Sequence, residues 1–408
     1  AWLQHLGIAP DARVAIMLPN IPQFPITMSA VLRAGFTCVN VNPLYTAREL
    51  QHQLNDSGAD TIVILENFAH TLEEVIDDTP IQHVVIASMG DMLGFWYGRW
   101  ITFAVRHLAR MVPAYKLPRT DKHGRTRTLI SFNDALAHGH RLHLKPSQAT
   151  LDSIAFLQYT GGTTGLSKGA VLTHRNVVAG VLQAEAWFTP ATKRVGRVSN
   201  INCITALPLY HIFALTLCFL AMRQGSHLTL VPNPRDFAKF IETLKKRPFH
   251  MLPGVNTLFN ALMQHPMFKT IDFSNLCLTQ AGGMAASEGT ARAGLQTFFA
   301  FVKRIAIAVI RQTGNPTTSR YADRVGGRGI FIDVIAQEQH HVEVFLGHVV
   351  VGTEVSVFPP LTRGISHAQF LHHGFGMWQG ARAAHGALRI TQLETLKWSI
   401  AYGTIIVS

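Results

Sequence analysis

Ser153–Phe188, SIAFLQYTGGTTGLSKGAVLTHRNVVAGVLQAEAWF, decides how the rest of the chain is read. It opens on a short apolar run, Ile154–Tyr159, of strand length. A stretch of glycine and hydroxyl residues follows: Thr160, Gly161, Gly162, Thr163, Thr164, Gly165, Leu166, Ser167, Lys168, Gly169 and Ala170. After a second apolar piece, Thr173 is placed to cap a helix carrying Val177, Val178, Val181, Leu182 and Ala186 at helical spacing. Glycines let backbone N–H groups turn onto an anion, hydroxyls add donors, and one lysine adds a point charge. Those are the demands of a nucleotide's phosphates.

A Walker A loop places its lysine directly before Ser or Thr, but Lys168 stands between Ser167 and Gly169, so that pattern fails. A plain Gly/Thr surface turn is the competing account. The strand before the loop and the return to ordered structure after it weigh against that account. YTGGTTGLSKGA, with LTHRN after it, resembles the phosphate-binding loop of the adenylate-forming superfamily, and most closely its bacterial long-chain fatty acid–CoA ligases. The resemblance extends over VNVNPLYTARELQHQLNDSGAD (Val39–Asp60), TALPLYHIFALT (Thr205–Thr216), NPRD (Asn233–Asp236), GVNTLFNAL (Gly254–Leu262) and LTQAGGM (Leu278–Met284). It runs from about residue 1 to 286 and implies an ATP-dependent ligase that makes acyl-CoA through an acyl-adenylate.

By that resemblance Tyr159–Ala170 hold the phosphates, with Lys168 and Thr164 acting in catalysis and Thr160 beside Mg2+. His211 and Phe213 line the carboxylate and acyl site, His211 with a catalytic role. Gly254 and Val255 begin a helix that walls the acyl channel, and Gly282 and Gly283 lie along the adenine. An isolated histidine in an apolar stretch is more often a satisfied core residue, and Gly282-Gly283 also suits a plain strand-to-helix turn. The implied partners are fatty acid, ATP and coenzyme A.

With 408 residues the chain can form about two to three domains. Its net charge of +12, from 36 basic and 24 acidic residues, is spread along the sequence. No lysine/arginine block marks a nucleic-acid partner; the diffuse excess suits a polyphosphate or anionic lipid better. Four scattered cysteines suggest neither zinc nor disulfides, and the pairs His340-His341 and His372-His373 are not assigned a metal. A cytoplasmic location is expected.

Strands at 13–17, 37–41, 61–65 and 83–87 alternate with helices at 26–34, 47–57 and 68–75. Gly35 and Gly58 sit where helix C-terminal caps belong. The pattern predicts an α/β fold of helix-covered, mostly parallel sheets, and the resemblance implies that they are the incomplete N-terminal domain of an adenylate-forming enzyme without its small C-terminal domain. Further strands are expected at 226–231, 250–252 and 276–280, and helices at 237–245 and 255–263. Pro113–Thr150 reads as a connector.

Asp91–Val112 differs from its surroundings. On a helical wheel Trp96, Trp100, Phe103, His107 and Met111 share a face beside a stripe of Arg99, Arg106 and Arg110. Aromatic bulk beside a cationic edge suits the lipid headgroup region, so peripheral contact with the inner face of the cytoplasmic membrane through 92–112 is one expectation. A core-packed helix with snorkelling arginines is the other. Asn200–Met222 carries no formal charge, yet its polar first half leaves only core-helix length.

Past residue 286 the resemblance stops. The family continues into Tyr-Gly-x-Thr-Glu and then Thr-Gly-Asp, and neither occurs in 287–408. The chain is therefore read as a partial large domain, 1–286, truncated at its start, and an unassigned tail, 287–408, of frameshifted or fused origin. The function expected is that of an impaired fatty acid–CoA ligase. The alternatives are a non-catalytic nucleotide- or membrane-binding remnant and an adenylating enzyme for another carboxylate.

Overall fold

A computed structural model describes residues 1–160, 167–194 and 201–282, with strands at 306–312, 331–336, 342–344, 349–351 and 354–356. The chain divides into two compact units. One comprises Ala1–Ala179 and Pro208–Leu215, the other Gly180–Leu207 and Thr216–Ser408.

The first unit starts with α1 (Trp2–His5), β1 (Arg13–Met17), α2 (Gln23–Ala34) and β2 (Thr37–Asn40). It continues with α3 (Ala47–Ser57), β3 (Thr61–Leu65), α4 (Ala69–Glu73), β4 (His83–Ala87) and α5 (Phe95–Phe103). Then come β5 (Thr128–Ser131), α6 (Phe132–His140), β6 (Ile154–Thr160), β7 (Lys168–Thr173) and α7 (His174–Arg194), whose later turns belong to the second unit. The sheet order is β5-β4-β3-β1-β2-β6-β7, parallel throughout except for the antiparallel β6–β7 hairpin. Within β1, β2 and β3, residues 14–17, 37–39 and 61–65 are continuous apolar or β-branched runs, as suits a sheet covered on both faces. Val39, Leu50, Leu54, Ile62, Ile64, Leu157 and Tyr159 share one buried cluster. Gly35 and Gly58 both end their helices in the left-handed region, at φ 90° and 62°. The hairpin carries a bulge: Ile154 pairs with Thr173 but Phe156 with Leu172, leaving Ala155 as an extra residue on β6.

Two expectations need correction here. Pro113–Thr150 is no plain connector, since it supplies an edge strand and a helix. Ser131 caps that helix, its hydroxyl accepting from the Asp134 N–H at 3.1 Å. The helix expected at 68–75 is a 3-10 turn at 66–68 followed by the short α4.

The second unit contains β8 (Asn202–Thr205), β9 (His227–Leu230), α9 (Phe237–Lys246), β10 (Met251–Gly254), α10 (Asn256–Gln264) and β11 (Leu278–Ala281), with α8 (Ile212–Gln224) entering it from the first. β12 (Ala306–Gln312), β13 (Phe331–Ala336) and β14 (Val342–Val344) extend its sheet in the order β14-β13-β12-β11-β10-β8-β9. Phe240, Phe249, Leu252, Leu262, Phe268 and Phe273 form its core. No described helix is long and apolar enough to cross a membrane.

Candidate nucleotide-binding site

The Gly/Thr-rich stretch is the connection of the β6–β7 hairpin. Its strand ends close on the pairs Tyr159↔Gly169 and Thr160↔Lys168, so the described mouth of the loop consists of Thr160, Ser167 and Lys168. Lys168 is exposed, and among the described residues no ion pair occupies it. Gly161, Gly162, Thr163, Thr164, Gly165, Leu166 and Gly283 lie outside the described residues.

Tyr159 is buried, and its hydroxyl donates to the Asp56 carboxylate at 2.5 Å. Burial, then the bond to Asp56 and its negative charge, push the phenol well above its ordinary range. Tyr159 therefore remains a neutral donor rather than a base. Gly169 lies against the same ring; a Cβ there would come within 3.0 Å of two ring carbons. A glycine of the phosphate-loop motif thus has a packing reason of its own.

One residue earlier, Gln158 joins three segments. Its Oε1 accepts from Asn40 Nδ2 at 3.0 Å, and its Nε2 donates to the Tyr210 carbonyl at 2.9 Å. Gln53 Nε2 donates to the Asn40 carbonyl at 2.8 Å. The neighbouring Leu209 N–H donates to Asn20 Oδ1 at 2.8 Å. This chain of buried amides ties the segment holding His211 to the strand that leads into the phosphate loop. Burial pushes the His211 imidazole down, so it is neutral at pH 7 and can offer a hydrogen bond but no fixed positive charge. Phe213, the second residue of α8, which begins just after His211, is buried.

Gly254, Val255 and Gly282 belong to the second unit. There the Gly282 N–H donates to the Gly254 carbonyl at 3.2 Å, while Gly254 pairs with Ala281 across β10 and β11. Val255 is the N-cap residue of α10, and a Cβ on Gly254 would meet the Phe259 ring at 2.8 Å. The start of the supposed acyl-channel helix and the supposed adenine segment are thus neighbours.

Asp56, His52, Tyr45, Asn40 and Gln158 were not singled out from sequence. Their partners stand far away along the chain: 103 residues for Asp56 with Tyr159, and 118 for Asn40 with Gln158. No local pattern encodes such pairs. Among the described residues no group of three or more His, Cys, Asp or Glu is placed to hold a metal. The four cysteines are buried and free, with no disulfide.

A family model described as AMP-binding enzyme matches residues 1–307. The long-chain-fatty-acid–CoA ligase of Salmonella typhimurium is 48% identical over 286 residues, 70% of this chain and 49% of that protein. That of Bacillus subtilis is 30% identical over 289 residues, 70% and 48%. The chain spans about half the length of the curated relatives it matches. Among solved structures, an anthranilate CoA ligase in complex with anthranoyl-AMP matches at TM-score 0.58 and 18% identity, over 74% of this chain and 51% of that one. A long-chain-fatty-acid-CoA ligase from Archaeoglobus fulgidus matches at TM-score 0.53 and 19% identity, over 82% and 54%. Those two likenesses are of fold, and they agree with the helix-covered, mostly parallel sheets. By the family match over residues 1–307, the chain belongs to the AMP-binding enzymes.

Proposed function

We propose that residues 1–286 are the nucleotide- and acyl-binding part of an AMP-forming long-chain fatty acid–CoA ligase. The observation that carries this reading is the β6–β7 hairpin, whose mouth presents Thr160, Ser167 and the exposed Lys168, without an ion-pair partner among the described residues, at the end of a buried strand. In the reaction, a fatty carboxylate oxygen attacks the α-phosphorus of ATP. The bond to the bridging oxygen breaks and pyrophosphate leaves, giving acyl-adenylate. The sulfur of coenzyme A then attacks the acyl carbon, and AMP leaves as the C–O bond breaks.

Such chemistry depends on positioning and charge stabilisation more than on a protein nucleophile. Tyr159–Ala170, with Lys168 and Thr164, hold the β and γ phosphates in this reading. Neutral His211 and Phe213 face the carboxylate and acyl chain, Gly254 and Val255 begin the channel wall, and Gly282 and Gly283 flank the adenine. Mg2+ coordinates few protein groups besides phosphate oxygens, which is compatible with the Thr160 hydroxyl at the mouth as the protein group that would hold it; when bound it would neutralise phosphate charge.

Residues 287–408 contain neither the Tyr-Gly-x-Thr-Glu nor the Thr-Gly-Asp of the family. We therefore read them as of frameshifted or fused origin, although three of their strands join the sheet of the second unit, and the chain as an impaired ligase that binds ATP better than it turns it over. Equilibrium ATP binding and pyrophosphate release, measured on the 408-residue protein with palmitate and with benzoate as carboxylates, test this. Expected are ATP binding weakened about tenfold in Lys168→Ala, slow pyrophosphate release, and preference for palmitate. Binding with no release supports the non-catalytic remnant, preference for benzoate an enzyme for other carboxylates, and no ATP binding overturns the nucleotide reading. Translating the gene in its other two frames past codon 286 tests the tail; absence of the missing motif from both removes the frameshift.

A second reading, peripheral contact with the cytoplasmic face of the membrane, is favoured by α5. Trp96 is 82% exposed and Phe95, Tyr97 and Trp100 are each more than half exposed, with Arg99 stacked on Phe95 at 5.5 Å. Sedimentation with anionic but not with neutral vesicles is the expected result; equal recovery with neither counts against it.

A further inference from the structure

We propose that α3 is a clamp that fixes the two ends of the phosphate loop, with Asp56 and His52 as positioning residues. The inference rests on the nucleotide reading of that loop. It follows from which side chains touch the strand ends.

Asp56 and His52 stand four positions apart on α3, hence on one helical face. Asp56 accepts from the Tyr159 hydroxyl at 2.5 Å, one residue before the last hairpin pair, Thr160↔Lys168. His52 Nε2 lies 3.1 Å from the Ser167 carbonyl, one residue beyond that pair on the loop side. A carbonyl oxygen only accepts, so Nε2 carries the proton and donates. One helix face thus grips the loop where the chain enters it and where it leaves.

The grip has support on both sides. Leu50, Gln53, Leu54 and Ser57 bury the other face of α3, and Gln53 bonds to β2. Arg13 Nη1 donates to the Ser57 carbonyl at 2.5 Å, fixing the helix end next to Asp56. Gly169 leaves room for the Tyr159 ring, so phenol, carboxylate and hairpin are held as one piece. A loop whose ends are fixed before the ligand arrives loses less conformational freedom on binding a triphosphate. Neither of these two side chains needs to touch the nucleotide.

The test compares His52→Ala, His52→Gln, Asp56→Ala and Asp56→Asn with the parent 408-residue protein. Two quantities are read: the rate of tryptic cleavage after Lys168 without ligand, normalised to cleavage after Lys245 on α9, and the affinity for ATP. Expected for both alanine variants are Lys168 cleavage faster by about fivefold or more and ATP affinity lower by about tenfold. His52→Gln keeps an N–H donor and is expected to restore both; Asp56→Asn keeps the acceptor without its charge and is expected to fall between. Unchanged cleavage in both alanine variants overturns the clamp, including the case in which ATP affinity falls, because the residues then act on the ligand directly. Faster cleavage at both lysines alike also overturns it, since that is general destabilisation. Faster Lys168 cleavage in a protein that binds no ATP upholds the clamp and removes the nucleotide reading instead.

Discussion

α3 and α5 follow strands of the same sheet, yet they use their surfaces in opposite ways. α3 is closed at both ends. Thr46 and Glu49 form a reciprocal capping box, and Gly58 terminates the helix in the left-handed region. Its apolar face is in the core and its polar face holds the hairpin. α5 has no side-chain cap, and Gly98 is its only buried residue. It is pinned at two points instead. The Gly90 and Gly98 backbones approach so closely that a Cβ on either would overlap the other's carbonyl oxygen. Beyond its end, Arg106 bonds to the buried Glu66 at 2.7 Å through Nε. The rest of α5 turns aromatic rings outward. A helix can therefore be ordered by two contacts and leave a face free, or be ordered by its whole circumference and leave none.

The contrast can be broken most severely at Leu54, fully buried on α3. Leu54→Ala is expected to cost about 2–5 kcal/mol in chemical denaturation, through lost transfer energy and the cavity left behind. Thr46→Ala, which opens the capping box, is expected to cost about 1 kcal/mol by the same measurement.

Titration distinguishes the two helices by sign. Hydrogen bonds from the backbone N–H and hydroxyl of Thr46 hold the Glu49 carboxyl below its usual value of 4.5. A lowered folded pKa gives stability that is full above the unfolded value and is lost as pH falls through the folded one. At the root of α5, burial pushes the Asp91 carboxyl above 3.8 despite the Ser88 N–H bonded to it. A raised carboxyl pKa has the reverse effect: stability falls as pH rises from 3.8 through the folded value. Amide exchange on acidification toward pH 4 should therefore show α3 losing protection that Glu49→Gln no longer loses. The root of α5 should change the other way, and Asp91→Asn should abolish that change.

The smallest effect is expected at Trp96 and Trp100. With rings mostly in solvent, Trp96→Ser and Trp100→Ser should alter stability by no more than about 0.5 kcal/mol. A larger loss would mean that α5 is spent on its own unit, as α3 is, rather than turned outward.

Much of the first unit was legible because its elements state themselves locally. β1, β3 and β4 occupy the spans expected of them, 13–17, 61–65 and 83–87, and α3 occupies Ala47–Ser57 as its spacing predicts. β5 and α6 were missed because Thr128–Ser131 is short and only partly buried, and because Gly139 and four polar residues dilute the periodicity of Phe132–His140. The signal that could have found them is Ser131 three residues before Asp134, a capping pattern. Of the face expected in 91–112, Trp96, Trp100, Phe103 and Met111 are exposed, whereas one arginine of the stripe beside it is engaged within the protein. Arg106 is committed to Glu66, and after Phe103 the helix widens into a π turn over Ala104–Leu108, which changes the angle between successive side chains. The loop mouth was legible as composition, whereas the clamp was not, because His52 and Ser167 lie 115 residues apart.

The bulge at Ala155 gives β6 a phase as well as a place. Side chains alternate along a strand, so one residue more or fewer transposes everything downstream to the opposite face. Shortening β6 by Ala155 would leave two outcomes. The strand's entrance could yield, giving up the bonds by which Ser153 and Leu151 receive the start of α7. Otherwise the phenol of Tyr159 would swing away from Asp56. A single alanine, far from any reacting atom, thus sets the timing of the strand that delivers the loop.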